Sequence, residues 1–245
     1  TQYTGNVSIS ARLWEKISLS TSLAGSVSET QGFVGDDPFT YASKTSRAIP
    51  HKDADGELSF YEHKDNGFLF NMENELKHSG NENTLASLNA SLSLRWQILE
   101  SLSYSMSGSY SNSRMNGETW RTEQTNYIAN IRKYNFEEFA KGDEKYDVSV
   151  LPHGGELTQS MSGSTGWSWR NQLDFVKVFS EKHSITAALG YELMSSRSKG
   201  SSETTYGYMP DRGKVIVNIP PFHSGTTNIS NLFRTVPKIT DTKSN

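Results

Sequence analysis

ASLNASLSLRWQILESLSYSMSGSYS, residues 86–111, sets Ala86, Leu88, Ala90, Leu92, Leu94, Trp96 and Ile98 against Ser87, Asn89, Ser91, Ser93, Arg95 and Gln97, then turns back around Glu100. After the turn, Leu102, Tyr104, Met106, Gly108 and Tyr110 alternate with Ser103, Ser105, Ser107, Ser109 and Ser111. Side chains of a strand point alternately to its two faces, so each run has one apolar face and one hydroxyl-rich face. An unbroken alternation of about ten residues is what a tilted strand needs to cross a hydrocarbon layer, and exceeds the usual strand of about five or six.

The same pattern occurs twice more. Tyr3, Gly5, Val7, Ile9, Ala11 and Leu13, opposed by Thr4, Asn6, Ser8, Ser10 and Arg12, lead through a turn at Glu15 and Lys16 to Ile17, Leu19, Leu23, Gly25 and Val27, opposed by Ser18, Ser20, Ser22, Ser26 and Ser28. Trp167, Trp169, Leu173, Phe175 and Phe179 lead through Ser180, Glu181 and Lys182 to Ile185, Ala187, Leu189, Tyr191 and Leu193, with Asn171 and Lys177 interrupting the apolar face. Hairpins are therefore expected at about 3–28, 84–111 and 164–195, joined by long loops at about 29–67, 112–163 and 195–245. Short turns on one side and long loops on the other are the wiring of transmembrane β-barrels in the bacterial outer membrane. The expected fold class is all-β: antiparallel membrane-spanning hairpins forming part of a large transmembrane β-barrel, with long extracellular loops containing short helices. Val7, Ile9, Leu13, Leu88, Leu92, Leu94, Leu173, Phe175 and Leu189 are the expected lipid-facing residues. Aromatic residues such as Tyr3, Trp14, Trp96, Tyr110, Trp167 and Tyr191 fall mostly near strand ends, where interfacial girdles belong. The competing reading is a soluble or surface-exposed β-sandwich, an adhesin or glycan-binding module, whose apolar faces pack across a core. Leu92, Leu94, Leu173 and Leu189 separate the two: exposed on the chain by itself in a barrel wall, packed in a sandwich.

Composition agrees with a wet lumen and large aqueous loops. Apolar residues are 34% of 245, and net charge is −3. Mean hydropathy is −0.62. No large basic surface points to nucleic acid or another polyanion. No apolar run approaches the roughly eighteen residues of a spanning helix. The absence of cysteine excludes a disulfide framework and thiolate metal sites. Thr1 lies within two residues of a spanning strand, and the polar run Thr240 to Ser244 reads as an unfinished loop, so the chain is expected to be part of a longer one. Six strands also fall short of the about eight that the smallest such barrels need to close.

Segments spread over most of the chain resemble the middle of the barrel in the SusC/RagA family of TonB-dependent outer-membrane transporters. The likeness lies in Pro38, Phe39, Tyr41, Ala42, Thr45, Ser46, Arg47, Ala48, Ile49 and Pro50, followed by Asp55 and Gly56. It continues through Asn71, Asn74, Glu75 and Leu76, then Tyr127, Ile128, Ala129 and Arg132. Leu151, Pro152, Gly154 and Gly155 follow, then Arg170, Asn171 and Gln172, and finally Gly207, Tyr208, Pro210, Asp211, Arg212 and Gly213. The order and spacing of these segments carry the resemblance. It implies a barrel of about 22 strands, filled by a plug domain, energised through a TonB-binding segment and capped by a SusD-like surface lipoprotein. Plug and TonB segment are both outside this sequence. The implied function is binding and import of oligosaccharides or peptides, without catalytic residues, a shared metal or an organic cofactor.

Specificity is expected in the long loops, because the short turns are too small to build a site. Pro38 favours a first helical turn, with Tyr41 and Arg47 as candidate contacts. The run from Thr119 to Lys141 has Trp120, Tyr127, Ile128, Ile131, Tyr134, Phe136 and Phe139 at near-helical spacing, with Arg132 as a donor. Tyr206, Tyr208, Arg212, Phe222, His223, Phe233 and Arg234 mark the third region. The candidate substrate- or partner-binding residues are thus Tyr41, Arg47, Trp120, Tyr127, Arg132, Tyr134, Tyr208 and Arg212, which would stack on or hydrogen-bond cargo. The same rings also suit small loop cores, or the seat of a lipoprotein lid. Histidines 51, 63, 78, 153, 183 and 223 have no zinc-helix spacing, and no Gly-x-Ser-x-Gly elbow occurs. Asp53, Asp55 and Glu57 around Gly56 depart from an EF-hand and read as an Asp-Gly turn.

Overall fold

The alternating runs pair into one continuous antiparallel sheet. The computed structural model describes residues 1–147, 149, 151, 153–180, 183–216 and 238–244. In chain order the elements begin with β1 (Gln2–Leu13), β2 (Ile17–Gly32), α1 (Pro38–Lys44), β3 (Tyr61–Glu62), β4 (Leu69–Phe70) and α2 (Met72–Lys77). They continue with β5 (Ser79–Leu99), β6 (Leu102–Arg121), α3 (Asn126–Arg132), α4 (Glu144–Asp147), β7 (Gly155–Phe179), β8 (His183–Met209), a 3-10 turn (Pro210–Arg212), β9 (Val215–Ile216) and β10 (Lys238–Ser244). The sheet order is β1-β2-β5-β6-β7-β8-β10, with β9 also on β8, while β3 and β4 form a separate small hairpin.

Register carries the apolar residues into rows. Thr21 faces Leu92, which faces Gly108, then Trp169, then Leu193. One row nearer the short turns, Ala11, Leu19, Leu94, Met106, Asn171 and Tyr191 align. Gly108 has a packing reason for lacking a side chain: a Cβ there would lie 2.9 Å from Trp169 Cε3, so the indole lies flat over it. Asn171, the polar interruption of this face, accepts a hydrogen bond from the Tyr104 hydroxyl at 2.5 Å. Lys177, the other interruption, sits near the turn with its Nζ 5.2 Å from the Phe179 ring centre.

No second layer covers this apolar face among the described residues. Leu189 is 76% exposed, Val7 62% and Leu173 37%. Leu92 and Leu94 are half-buried by neighbours on the same face. A sandwich core would have buried all of them.

The opposite face is a hydroxyl ladder. Ser22 and Ser91, Ser20 and Ser93, Ser26 and Ser87, and Ser109 and Ser168 each meet across adjacent strands with hydroxyl oxygens 2.7 Å apart. These pairs partly satisfy themselves and remain open to water.

Two expectations change. The helical run beginning at Thr119 is shorter than its spacing suggested: Trp120 belongs to β6, opposite Gly80, and only Asn126–Arg132 is helical. A Cβ on Gly80 would lie 2.7 Å from the Trp120 ring, so this pairing holds the indole on the sheet. Thr240 to Ser244 is strand rather than loop, with Lys238–Ser244 pairing to Ser196–Ser202 of β8. Its outward Ile239, Asp241 and Lys243 lack the apolar repeat that made the other strands legible. All four strands from β5 to β8 run past the hairpin limits, because above the apolar rows the same pairing continues with polar side chains.

Candidate functional site

The buried hydrophobic residues lie at the long-loop end and in the strands' upper reaches. Phe70, Met72, Ile128, Ala129, Tyr134, Leu151, Leu157 and Tyr208 form this core, and Ile128 is wholly inaccessible. Local sequence places each element. Asp37 caps α1, accepting from the Thr40 backbone N–H at 2.9 Å, and Pro38 occupies its first turn. Asn71 caps α2 through Glu73 and Asn74, and Thr125 caps α3 through Ile128. Lys133 closes α3 in a left-handed conformation at φ 69.

Asparagine amides join the loops. Asn71 Nδ2 donates to the carbonyls of His51 and Ser59, both at 2.8 Å. Asn74 Nδ2 reaches the Gln124 carbonyl at 2.8 Å. Asn126 Nδ2 donates to Phe68 and Leu69 carbonyls at 3.1 and 3.0 Å, while its Oδ1 accepts from Asn66 at 2.6 Å. Glu75 Oε1 accepts from the Asn126 backbone N–H at 2.9 Å, and burial pushes its carboxyl up to about 7. A backbone carbonyl inside a loop needs such partners as a strand carbonyl does.

Two ion pairs brace the upper ends of β6 and β7 and the loop between them. Arg121 lies 2.8 Å from Glu156 and stands over the Tyr127 ring at 4.1 Å, while the Tyr127 hydroxyl donates to Glu156 Oε2 at 3.2 Å. Arg132, 7% exposed, donates to Glu123 at 3.1 Å and to the Gly154 carbonyl at 2.8 Å. Glu123 also accepts from the Gly154 backbone N–H at 3.1 Å. Next to this bridge, His153 stacks on Tyr146 at 3.9 Å, and burial, with Arg132 nearby, lowers its pKa.

The loop residues singled out from the sequence therefore separate into two sets. Arg132, Tyr134 and Tyr208 are buried, and Tyr41 packs on Phe70 at 5.7 Å while its hydroxyl meets that of Tyr61 at 3.1 Å. Trp120 is half-buried over Gly80. Tyr41, Arg132 and Tyr134 hold the loops in shape, while Trp120 and Tyr208 pack at the upper ends of β6 and β8. Arg47, Arg212 and one side of Tyr127 are exposed. Phe222, His223, Phe233 and Arg234 lie outside the described residues. Asp53 Oδ1 accepts from the backbone N–H groups of Asp55 and Glu57 at 2.9 and 3.0 Å, with Gly56 at φ 87, which is a turn.

A second feature was not singled out from the sequence. On the hydroxyl face near the short turns, a pocket of about 680 Å³ is lined by Ser10, Arg12, Ser18, Arg95, Arg170 and Gln172, among others. Arg12 and Arg95 share one row through Ser18, and Arg170 lies in the next row through Ser107 and Ser93. The readable signal was the same break in three strands: arginine where serine otherwise alternates.

A single antiparallel sheet with one uncovered apolar face and one hydroxyl face, long loops at one end and tight turns at the other, is the architecture of a sector of β-barrel wall. Its solved structural neighbours are transporters. A structure of the RagAB peptide transporter superposes with a TM-score of 0.68 at 15% identity, covering 99% of this chain and 24% of that one. The RagAB peptide importer in its closed-closed state gives 0.67 at 14% identity, and in its open-open state 0.66 at 14%, each again over 99% of this chain and 24% of the other. The chain thus spans about a quarter of the length of these neighbours, and the likeness is one of fold. No protein-family model matches the sequence, and no curated protein matches it.

Proposed function

We propose that this chain is part of the barrel wall of a SusC/RagA-type, TonB-dependent importer in the bacterial outer membrane, and that it is not an enzyme. The observation that carries the reading is the uncovered apolar face backed by a hydroxyl ladder, in a sheet that superposes over nearly its whole length on a peptide transporter. Val7, Ile9, Leu13, Leu88, Leu92, Leu94, Leu173, Phe175 and Leu189 then face lipid, and the serines face water in the lumen. The loop assembly forms part of the extracellular mouth. Its exposed Arg47, Tyr127 and Arg212 meet cargo or a SusD-like lipoprotein, while TonB engages a segment beyond this chain.

Peptide cargo is the reading we favour over oligosaccharide. The neighbours carry peptides, and Arg12, Arg95 and Arg170 on the lumen face offer fixed cations to peptide carboxylates. The test is to isolate the full-length protein from bacterial membranes and measure uptake of labelled peptides and labelled oligosaccharides in cells with and without it. Recovery only in detergent, a co-purifying lipoprotein and loss of peptide uptake are expected. A water-soluble, monodisperse protein would overturn the barrel reading, and loss of oligosaccharide uptake alone would overturn the choice of cargo.

A further inference from the structure

On the apolar face the rows end abruptly in cations. Above the row of Ala90, Tyr110, Trp167 and Ser195 comes that of Gly5, Gly25, Leu88, Asn112, Thr165, Arg197 and Lys243. The next holds Tyr3, Val27, Ala86, Arg114, Gly163, Lys199 and Asp241. From Ile185 to Ser195 is about 33 Å of strand at about 3.3 Å per residue, which a tilt of about 40° turns into about 25 Å of thickness, the height of a barrel's apolar band. Arg197, one row above Trp167 and Ser195, and Arg114 and Lys199, two rows above, therefore stand just beyond the band.

The two upper rows also hold a hollow. A groove of about 500 Å³ runs along Tyr3, Gly5, Gly25, Val27 and Leu88, with Arg114 at its rim. Glycine at both Gly5 and Gly25 makes the depression, and no atom lies within 4 Å of a Cβ built on Gly5. On the other side of Arg114, Gly163 leaves the floor bare between Arg114 and Lys199, two strands or about 9.6 Å apart. The carboxylate in these rows is Asp241, which is held by Arg197 through two hydrogen bonds. Glu118 and Glu203 lie two rows higher. Arg114 and Lys199 are exposed, and Lys199 stands opposite Asp241, whose charge it also feels.

We propose that this is a seat for one phosphate-bearing lipid of the outer leaflet: the headgroup-proximal end of an acyl chain lies in the Gly5–Gly25 groove, and Arg114 and Lys199 close on the headgroup phosphate across Gly163. An apolar trough that opens onto a pair of cations at the depth of the headgroups matches a lipid phosphate and not a free anion, which would leave the trough empty. The inference rests on the barrel reading, which puts the long loops, and so these rows, on the leaflet of phosphorylated glycolipid.

The test uses the full-length protein in detergent and in vesicles, with bisphosphorylated lipid A as probe and dephosphorylated lipid A and inorganic phosphate as comparisons. Lipid A is expected to bind, dephosphorylated lipid A to bind much more weakly, and inorganic phosphate not to compete. R114A/K199A is expected to weaken lipid A binding about thirtyfold, from about 1 kcal/mol per cation at a membrane surface, and R114K/K199R to restore most of it. G25V fills the groove, and a Cβ there meets Ser87 O at 3.8 Å and Leu88 Cδ1 at 3.9 Å, which are ordinary contacts. It is expected to weaken lipid A binding while flotation with vesicles is unchanged. Equal binding by wild type, R114A/K199A and G25V would overturn the seat, and so would competition by phosphate alone. A wild-type protein that does not float with vesicles would overturn the barrel reading first, so the two failures are told apart.

Discussion

Glu75 and Arg132 show how single side chains set the behaviour of the loops. Glu75 is raised from an ordinary value of 4.5 to about 7, chiefly by burial. Between those values the folded loops keep a proton that the unfolded chain releases, so the contribution of Glu75 to loop stability is largest below pH 4.5 and is lost as pH rises through 7. Hydrogen exchange of the α2 and α3 amides, corrected for intrinsic rate, is expected to show less protection at pH 8 than at pH 5, and E75Q is expected to remove most of that difference. Arg132→Ala leaves Glu123 without its charged partner in a half-buried site, a change of about 3–5 kcal/mol when a buried pair is broken. Limited proteolysis is expected to cut residues 122–154 in the variant while the barrel strands stay protected. Asn71, Asn74, Glu75 and Arg132 hold loop backbone and side-chain groups that have no strand to pair with.

At the scale of elements, the hairpins were readable because an apolar repeat of period two survives wherever one face is buried or faces lipid. Above that band the repeat vanishes, and so β10 and the upper halves of β6 and β8 were not visible as strands, although the backbone pairing there is unchanged. The arginines of the hydroxyl-face pocket were visible as residues but not as a group, since only register brings three distant strands together. The two faces differ in what they tolerate. Leu92→Arg, in the middle of the apolar rows, is expected to cost about 2–4 kcal/mol in membrane insertion, whereas Ser91→Arg, one residue away on the hydroxyl face, is expected to insert like wild type. Heat-modifiable migration in gels, scored as folded fraction, compares them. Gly108→Val pushes a Cβ into the Trp169 ring and is expected to destabilise the sheet by about 1–3 kcal/mol.

For the whole molecule, the sheet brings fixed charge and neutral wall into different places. Under the proposed importer reading, removing the three arginines of the hydroxyl face together, as R12A/R95A/R170A, is expected to lower uptake of acidic peptides severalfold and leave uptake of neutral ones nearly unchanged, with the amount of protein in the membrane constant. Uptake assays with matched peptides give that ratio, and equal loss for both would mean that these cations serve the wall and not the cargo.

The paired serines have a further consequence. In Ser20–Ser93, Ser22–Ser91, Ser26–Ser87 and Ser109–Ser168 either hydroxyl can be the donor. A rotation of two hydrogens reverses the direction of each pair without moving a heavy atom, so the lining offers a donor or an acceptor on demand. In the proposed importer such a surface would read neither the sequence of a peptide nor the pattern of a sugar, and would let amides and hydroxyls exchange partners step by step as they pass, like a rail that grips equally at every point and therefore holds nothing still.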